Sequence, residues 1–255
     1  MKLLIIDIKG KFATFKKFYS NSSVMSYYFP PRTTITGILA GIMGRERDSY
    51  HKEFGSENIN FAISIRNKLK KIIQKVNYLK IESVNDLNGS NKNSVRTQVP
   101  FEFVLPVNFC EMIHYRIYCY CKDAIYSELF EKLSKSFQVY PVYLGKAGFS
   151  ASVELVASNG DIIIDKKSSN DFNKIASVIP KVGNLINNLD FKSDQILNIH
   201  EEKMPFEFID NNNRALKEAR SFVFGNGEKI NAKINGFVYS LTYHDVAENI
   251  VFMEA

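Results

Sequence analysis

The chain has 255 residues, 45% of them hydrophobic and 13% aromatic, which excludes a disordered tail and suffices for a substantial core in one domain or two. Lys plus Arg number 33 against 27 Asp plus Glu, leaving a net charge of +6, an excess that points to a polyanionic partner only where it is clustered. No apolar run approaches the roughly 20 residues that cross a bilayer, and Leu3-Leu4-Ile5-Ile6 is broken at Asp7, too soon for a signal peptide, so a cytoplasmic protein without membrane contact is expected.

Residues 2–9 are β-rich and are expected to form a first strand buried on both faces. Behind them Lys9, Lys11, Lys16 and Lys17 interleave with Phe12, Phe15, Phe18 and Tyr19, giving either charges for phosphates and rings for bases, or core rings with solvated lysines. Pro30 and Pro31 cannot extend a ladder, and Thr33 or Thr34 offers a capping oxygen, so a helix should start there. Ile35, Ile38, Leu39, Ile42 and Met43 form its apolar stripe, while Gly37, Ala40, Gly41 and Gly44 leave the neighbouring surface bare. Interior glycines destabilise a helix by about 1 kcal/mol each, so close approach of a sheet or a partner is expected in return. Gly44 can end the helix in left-handed conformation, with Arg45 and Arg47 beyond it; an ordinary core helix with basic ends fits equally well.

Residues 59–65 read as a second strand. Residues 66–80 then hold Arg66, Lys68, Lys70, Lys71, Lys75 and Lys80 without an acid, a stretch that repels itself unless an anion lies beside it; a bound polyanion is favoured over a solvated face. Residues 82–99, rich in Asn and Ser with Asp86-Leu87-Asn88-Gly89 as turn signal, read as a protruding hairpin or loop. The chain returns to the body at 102–105, forms a strand at 114–121, and enters a helix capped by Asp123 and running to Lys135, with Ala124, Ile125, Leu129 and Leu133 inward. Tyr140 to Gly148 brackets Lys146 with glycines ahead of a strand at 150–157, an arrangement that lets backbone N–H groups and an ammonium approach a phosphate, although it lacks the ending of a P-loop.

This order of strands and helices predicts an α+β, ferredoxin-like unit at residues 1–157, with a hairpin inserted at about 82–100. Ser158-Asn159-Gly160-Asp161 is expected to turn the chain into a hairpin with Ile162-Ile163-Ile164. A β-rich module should fill residues 158–255, where Ile230, Ala232 and Ile234, then Phe237, Tyr239, Leu241 and Tyr243, alternate as in a meander.

Cys110, Cys119 and Cys121 lack metal-site partners and are expected to be reduced, buried thiols. The four histidines show no ligand spacing. Tyr50-His51, after the glycine helix, is the first place to look for acid–base cleavage of RNA, which a His, a Lys and a Tyr can carry out without metal.

The runs Lys16-Lys17-Phe18-Tyr19 and Ser26-Tyr27-Tyr28-Phe29-Pro30-Pro31-Arg32-Thr33-Thr34, the latter leading into Gly37-Ile38-Leu39-Ala40 and Gly44, resemble the amino-terminal signature of the Cas-five family of CRISPR-associated proteins. Arg96-Thr97-Gln98 before Phe101-Glu102-Phe103, and Tyr143-Leu144-Gly145-Lys146 before Phe149, are similar to that family's second and third blocks. The resemblance implies an RRM-like fold of the RAMP class with a thumb. It also implies a non-catalytic subunit that caps the 5′ handle of CRISPR RNA in a type I Cascade-like antiviral surveillance complex, beside a backbone subunit and a large subunit. Subtype I-B is among those it allows, and the residues do not identify the subtype or the handle sequence. In one subtype the family's member itself cuts precursor RNA, so a metal-independent endoribonuclease is the alternative, and a generic single-strand-binding module is a third class. Residue reading and resemblance together give the candidate RNA-binding set Lys16, Lys17, Tyr27, Arg32, Arg45, Lys68, Lys70, Lys71, Arg96, Gln98 and Lys146, with no catalytic residue, metal or cofactor.

Overall fold

A computed structural model describes residues 1–79, 81, 83–87, 90, 96–168, 171–189, 199–209 and 214–255. The first half contains β1 (Lys2–Gly10), α1 (Arg32–Met43), β2 (Ile59–Ile65), β3 (Leu69–Leu79), the single turn α2 (Val84–Leu87), β4 (Arg96–Pro106), β5 (Ile113–Cys121), α3 (Asp123–Ser134) and β6 (Ala151–Ala157). The second half adds β7 (Ile163–Ser168), β8 (Phe172–Ile175), β9 (Ile179–Pro180), β10 (Ile186–Leu189), β11 (Ile199–Phe208), β12 (Leu216–Gly225), β13 (Ile230–Ile234), β14 (Phe237–Tyr243) and β15 (Val246–Ile250).

Four strands form an antiparallel sheet in the order β2-β5-β1-β6, with α1 following β1 and α3 following β5. The unbroken apolar run of β1 follows from its central place, because successive side chains enter two different cores. Leu4, Ile6 and Ile8 meet the helices together with Tyr115, Ile117 and Cys119. Leu3 and Ile5, with Ala62 and Tyr118, instead meet Leu241, Tyr243, Ile250 and Phe252 of the second half. That second half is a six-stranded sheet, β10-β13-β8-β15-β14-β7, and a three-stranded sheet, β11-β12-β9. Met204, Phe206, Phe222 and Phe224 of β11 and β12 join the helix-side core beside Phe29.

Several local expectations change. The first turn of α1 has no side-chain cap: Pro31 sets its start, and the Pro31 carbonyl accepts from Thr34 and Ile35 N–H. Lys122, not Asp123, precedes α3, whose buried face is Ile125, Leu129 and Leu133 while Ala124 is exposed. Gly44 does close α1 at φ 79°. The turn at 158–161 does not make a hairpin, because β6 lies in the first sheet while β7 pairs with β14 at an edge of the six-stranded sheet. That sheet is not a simple meander either, since β15 reaches back to pair with β8 in parallel. Cys119 and Cys121 are buried, with burial pushing the Cys121 thiol up to about 12, whereas Cys110 is exposed.

The inserted hairpin is longer than predicted. β3 and β4 pair along their full length, from Leu69 opposite Pro106 to Leu79 opposite Arg96, so the basic stretch forms one arm of the hairpin. Its root is held by backbone bonds between Ala13 and Val104 and between Val24 and Pro100. The turn expected at Asn88-Gly89 lies outside the described residues.

Candidate nucleic-acid interface

The apolar stripe of α1 enters the core, which leaves Gly37 and Gly41 facing a groove and not a packed sheet. A Cβ on Gly37 would lie 3.2 Å from the Tyr50 hydroxyl, and one on Gly41 would be 4.0 Å from Tyr140 Cβ. The bare helix face is thus the floor of a cleft of about 950 Å³, walled by Tyr50, Tyr140 and Tyr143 and, from β11, the segment before β12 and β12 itself, by Phe208, Arg214 and Leu216. A second lobe of about 580 Å³ lies at the hairpin root, lined by Asn21, Tyr78, Gln98 and Lys146 among others. Both lobes share Thr14, Lys16 and Gly145, so they adjoin. Among the described residues lining it there is no Asp or Glu, while Lys16, Arg45, Arg47, Arg214 and Lys146 bring positive charge.

Lys16 is exposed at the junction of the lobes. Lys146 also faces the groove, donating to the Tyr78 hydroxyl at 2.6 Å and lying 4.8 Å from the Phe101 ring centre. Gln98 is exposed in the second lobe, and the side chain of Arg96 lies outside the described residues.

Five assignments are corrected by burial and pairing. Tyr27 is fully buried in the helix-side core. Arg32 is 2% exposed, bonded to Glu254 at 2.6 Å and to the carbonyls of Phe54 and Ile59, with the rings of Phe61 and Phe206 beside its guanidinium. Lys17 and Lys71 both reach Glu202, at 2.9 and 3.2 Å, and Lys71 also donates to the Ser26 carbonyl. Arg45 lines the cleft, but Glu53 and Glu128 each hold it with two hydrogen bonds. The cations among them are engaged by carboxylates of the protein itself.

The acid-free stretch at 66–80 finds its anions in distant parts of the same chain. Arg66 pairs with Glu248 at 2.8 Å, Lys68 with Glu228 at 2.6 Å, and Lys71 with Glu202. Lys70 instead lies 3.8 Å from the Phe109 ring centre. A bound polyanion is therefore not needed to neutralise Arg66, Lys68 and Lys71, a fact hidden from local sequence because Glu248, Glu228 and Glu202 are more than 100 residues away.

Residues absent from the predicted set complete the groove. The side chain of Arg47 is 81% exposed and lies 3.3 Å from the Asp48 carboxylate, which Arg214 bonds at 2.5 Å. Burial pushes the Asp48 carboxyl up, but the Arg214 hydrogen bond and the charges of Arg214 and Arg47 outweigh it, keeping the group below its usual range. His51 is 7% exposed and lies edge-on to Phe208, its Nε2 3.6 Å from Asp48. Tyr50 is raised by burial, which disfavours the phenolate. A basic residue after a helix-ending glycine was legible at Arg47; nothing near Arg214 in sequence links it to α1.

A family model described as CRISPR-associated protein (Cas_Cas5) matches residues 3–171. No curated protein sequence matches the chain. Among solved structures, a CRISPR protein from Archaeoglobus fulgidus is similar with a TM-score of 0.58 and 12% identity, over 98% of this chain and 99% of that one. A chain of a CRISPR RNA-guided surveillance complex is similar with a TM-score of 0.53 and 10% identity, over 91% and 92%. At such identities the structural likeness concerns the fold alone; it is the family match, over more than half of the sequence, that shows the chain to belong to the Cas5 (Cas-five) family of CRISPR-associated proteins.

Proposed function

We propose that this protein is a non-catalytic, RNA-binding subunit that holds the 5′ handle of CRISPR RNA in its groove within a Cascade-like surveillance complex. The observation that carries this reading is the groove itself, two adjoining lobes free of carboxylates among their described lining residues, floored by glycines and edged by Lys16, Arg47, Arg214, Lys146 and tyrosine rings. Single-stranded RNA is recognised by such a combination, because cations track its phosphates and rings stack on unpaired bases. The glycine floor permits a backbone to approach α1 more closely than side chains would allow.

The fold supports the same reading. Strand order β6-β1-β5-β2, with helices after the first and third of these strands in sequence, is the pattern of a ferredoxin-like, RRM-like unit of the RAMP class. The β3–β4 hairpin is its thumb. Membership of the family implies, as neighbours in such a complex, a backbone subunit and a large subunit, in the cytoplasm and without a membrane; no described helix is long and apolar enough to cross one.

An endoribonuclease is the second reading, favoured by Tyr50 and His51 both lining the cleft. Against it stand the His51 side chain, only 7% exposed, and the burial of Tyr50, which raises its hydroxyl and disfavours a phenolate base. Incubating the purified protein with the repeat RNA of its own locus, without metal, separates the readings. Tight, repeat-preferring binding without cleavage is expected. Cleavage that His51→Ala abolishes while binding persists would establish the nuclease, and weak binding indifferent to sequence would reduce the protein to a generic single-strand binder.

A further inference from the structure

The hairpin that walls the second lobe is held by two distant parts of the chain. Its β4 arm is tied to the first half through the backbone bonds of Val104 with Ala13 and of Pro100 with Val24. The base of its β3 arm is gripped by the turn between β12 and β13. There the Asn226 carboxamide accepts from Leu69 N–H at 2.9 Å and donates to the Leu69 carbonyl at 2.7 Å, the two bonds that a neighbouring strand would supply. Gly227, at φ 76°, seats the turn: a Cβ there would lie 2.6 Å from the backbone of Asn67 and Lys68, an approach only glycine permits. Glu228 closes the grip by pairing with Lys68 at 2.6 Å. From this clamp β12 runs to the other lobe. Its first residue, Leu216, lines the cleft over α1 beside Arg214, and its last, Gly225, adjoins Asn226, so a strand of 10 residues spans about 30 Å between the two. It pairs with β11 from end to end, and Phe222 and Phe224 anchor it in the helix-side core. Along the way Glu202 of β11 accepts from Tyr28 N–H at 3.1 Å and pairs with Lys71 of the same hairpin at 3.2 Å.

We propose that the β11–β12 ribbon is a strut that sets the hairpin at a fixed angle to the cleft, with Asn226 as its positioning residue, so that one RNA strand meets both lobes at once. The inference rests on the reading of the groove as an RNA site and gives the second half of the chain a part in it. The hairpin contributes Tyr78, Thr97, Gln98 and Val99 to the second lobe, whereas the described lining of the cleft over α1 includes no hairpin residue. A strand lying in both lobes therefore bridges two bodies whose spacing depends on how the hairpin is held. Backbone bonds to the first half fall on β4, and a separate hold on β3 stops the hairpin turning about that arm. Fixing the spacing before RNA arrives removes an ordering cost from binding, and two subsites held at a matched span act as one tighter site.

The test is a double-mutant cycle on the full chain, read by fluorescence anisotropy with the repeat RNA of its own locus. One side of the cycle is Asn226→Ala; the other is Tyr78→Ala combined with Gln98→Ala, which strips the hairpin's wall from the second lobe. In the parent background Asn226→Ala should weaken binding at least about fivefold, a small part of the roughly 100-fold that joining two subsites can supply. In the stripped background it should cost less than about twofold, because a displaced wall no longer touches RNA. A merely structural loss would weaken both backgrounds alike. Hydrogen exchange should also quicken in residues 69–79 of Asn226→Ala while α1 stays protected. Parent-like binding by Asn226→Ala or by the stripped protein, equal cost in the two backgrounds, or unchanged exchange in β3 overturns the strut and leaves the groove reading standing. Should Asn226→Ala not fold, Asn226→Ser, which keeps one hydrogen-bonding group, takes its place; a smaller loss confined to the parent background is then expected, and no loss overturns the strut. Failure of the parent to bind the RNA overturns the groove reading itself, and the strut with it.

Discussion

The guanidinium of Arg32 is surrounded by its own protein, although it sits in the run that most resembles an RNA-binding signature. Removing it would leave Glu254 buried without its cation, a class of change that destabilises by about 3–5 kcal/mol. Arg32→Ala should lower the denaturation midpoint by that order in urea; unchanged stability with lost RNA affinity would return Arg32 to the interface. The opposite holds for Lys16 and Arg47, which are exposed beside the groove. Each changed to Ala should leave melting unaltered and reduce the salt dependence of RNA binding by roughly 0.7 in log–log slope, the share of one phosphate contact on a single strand. Lys71→Ala should do the reverse, because its ammonium is engaged with Glu202 and Ser26.

At the scale of elements, α1 gives up helical stability for an open face. Gly41→Ala should stabilise the isolated protein by up to about 1 kcal/mol, since its Cβ meets nothing closer than 4.0 Å. The same change narrows the groove floor, so RNA affinity should fall while the melting temperature rises; a parallel rise in both would show that the face does not receive RNA. The β3–β4 hairpin is the other element with a separate role. Its root is bonded to residues 13 and 24, whereas Ile73, Leu79, Val84 and Leu87 farther out are exposed. Replacing residues 86–94 with a short Gly-Ser turn should therefore leave melting nearly unchanged but weaken assembly with guide RNA and a backbone subunit, as read by size-exclusion chromatography. Assembly equal to the parent would remove the thumb role.

For the whole molecule, the two sheets are joined through a buried polar network. Arg116 holds Asp7 with two hydrogen bonds and donates to Tyr243, while Glu248 accepts from Arg66, Tyr118 and Tyr243. Burial pushes Asp7 up, but the hydrogen bonds of Arg116 and His114 outweigh it and hold the carboxyl well below its usual range; Glu248 is lowered in the same way by its tyrosines and Arg66. Groups depressed on folding stabilise the native state above their unfolded pKa, near 4, and that stabilisation is lost as pH falls toward their native values. Asp7→Asn should thus destabilise by about 3–5 kcal/mol at neutral pH, with the gap to the parent narrowing below about pH 4. Equal acid-unfolding curves for both proteins would show that the network is not what joins the sheets.

Most elements of the first half were legible in sequence because they depend on local chemistry. Apolar periodicity set β1, α1, β2, β5 and α3, Pro31 and Gly44 bounded α1, and glycines marked the turn before β6. What the charges do was not legible. Arg66, Lys68 and Lys71 form an acid-free run in sequence and a set of matched pairs in space, because Glu248 and Glu202 arrive on strands of the second half and Glu228 on the turn between β12 and β13. The groove was half visible: Lys16, Lys146 and the glycines of α1 were named from residue type and Gln98 from the family resemblance, whereas Arg214, Tyr140 and Asn21 reach it only through tertiary packing. Residue type and spacing determined which groups could meet RNA. Only the fold decided which of them remained free, because a cation's availability depends on the nearest carboxylate in space, and that distance is not written in the chain.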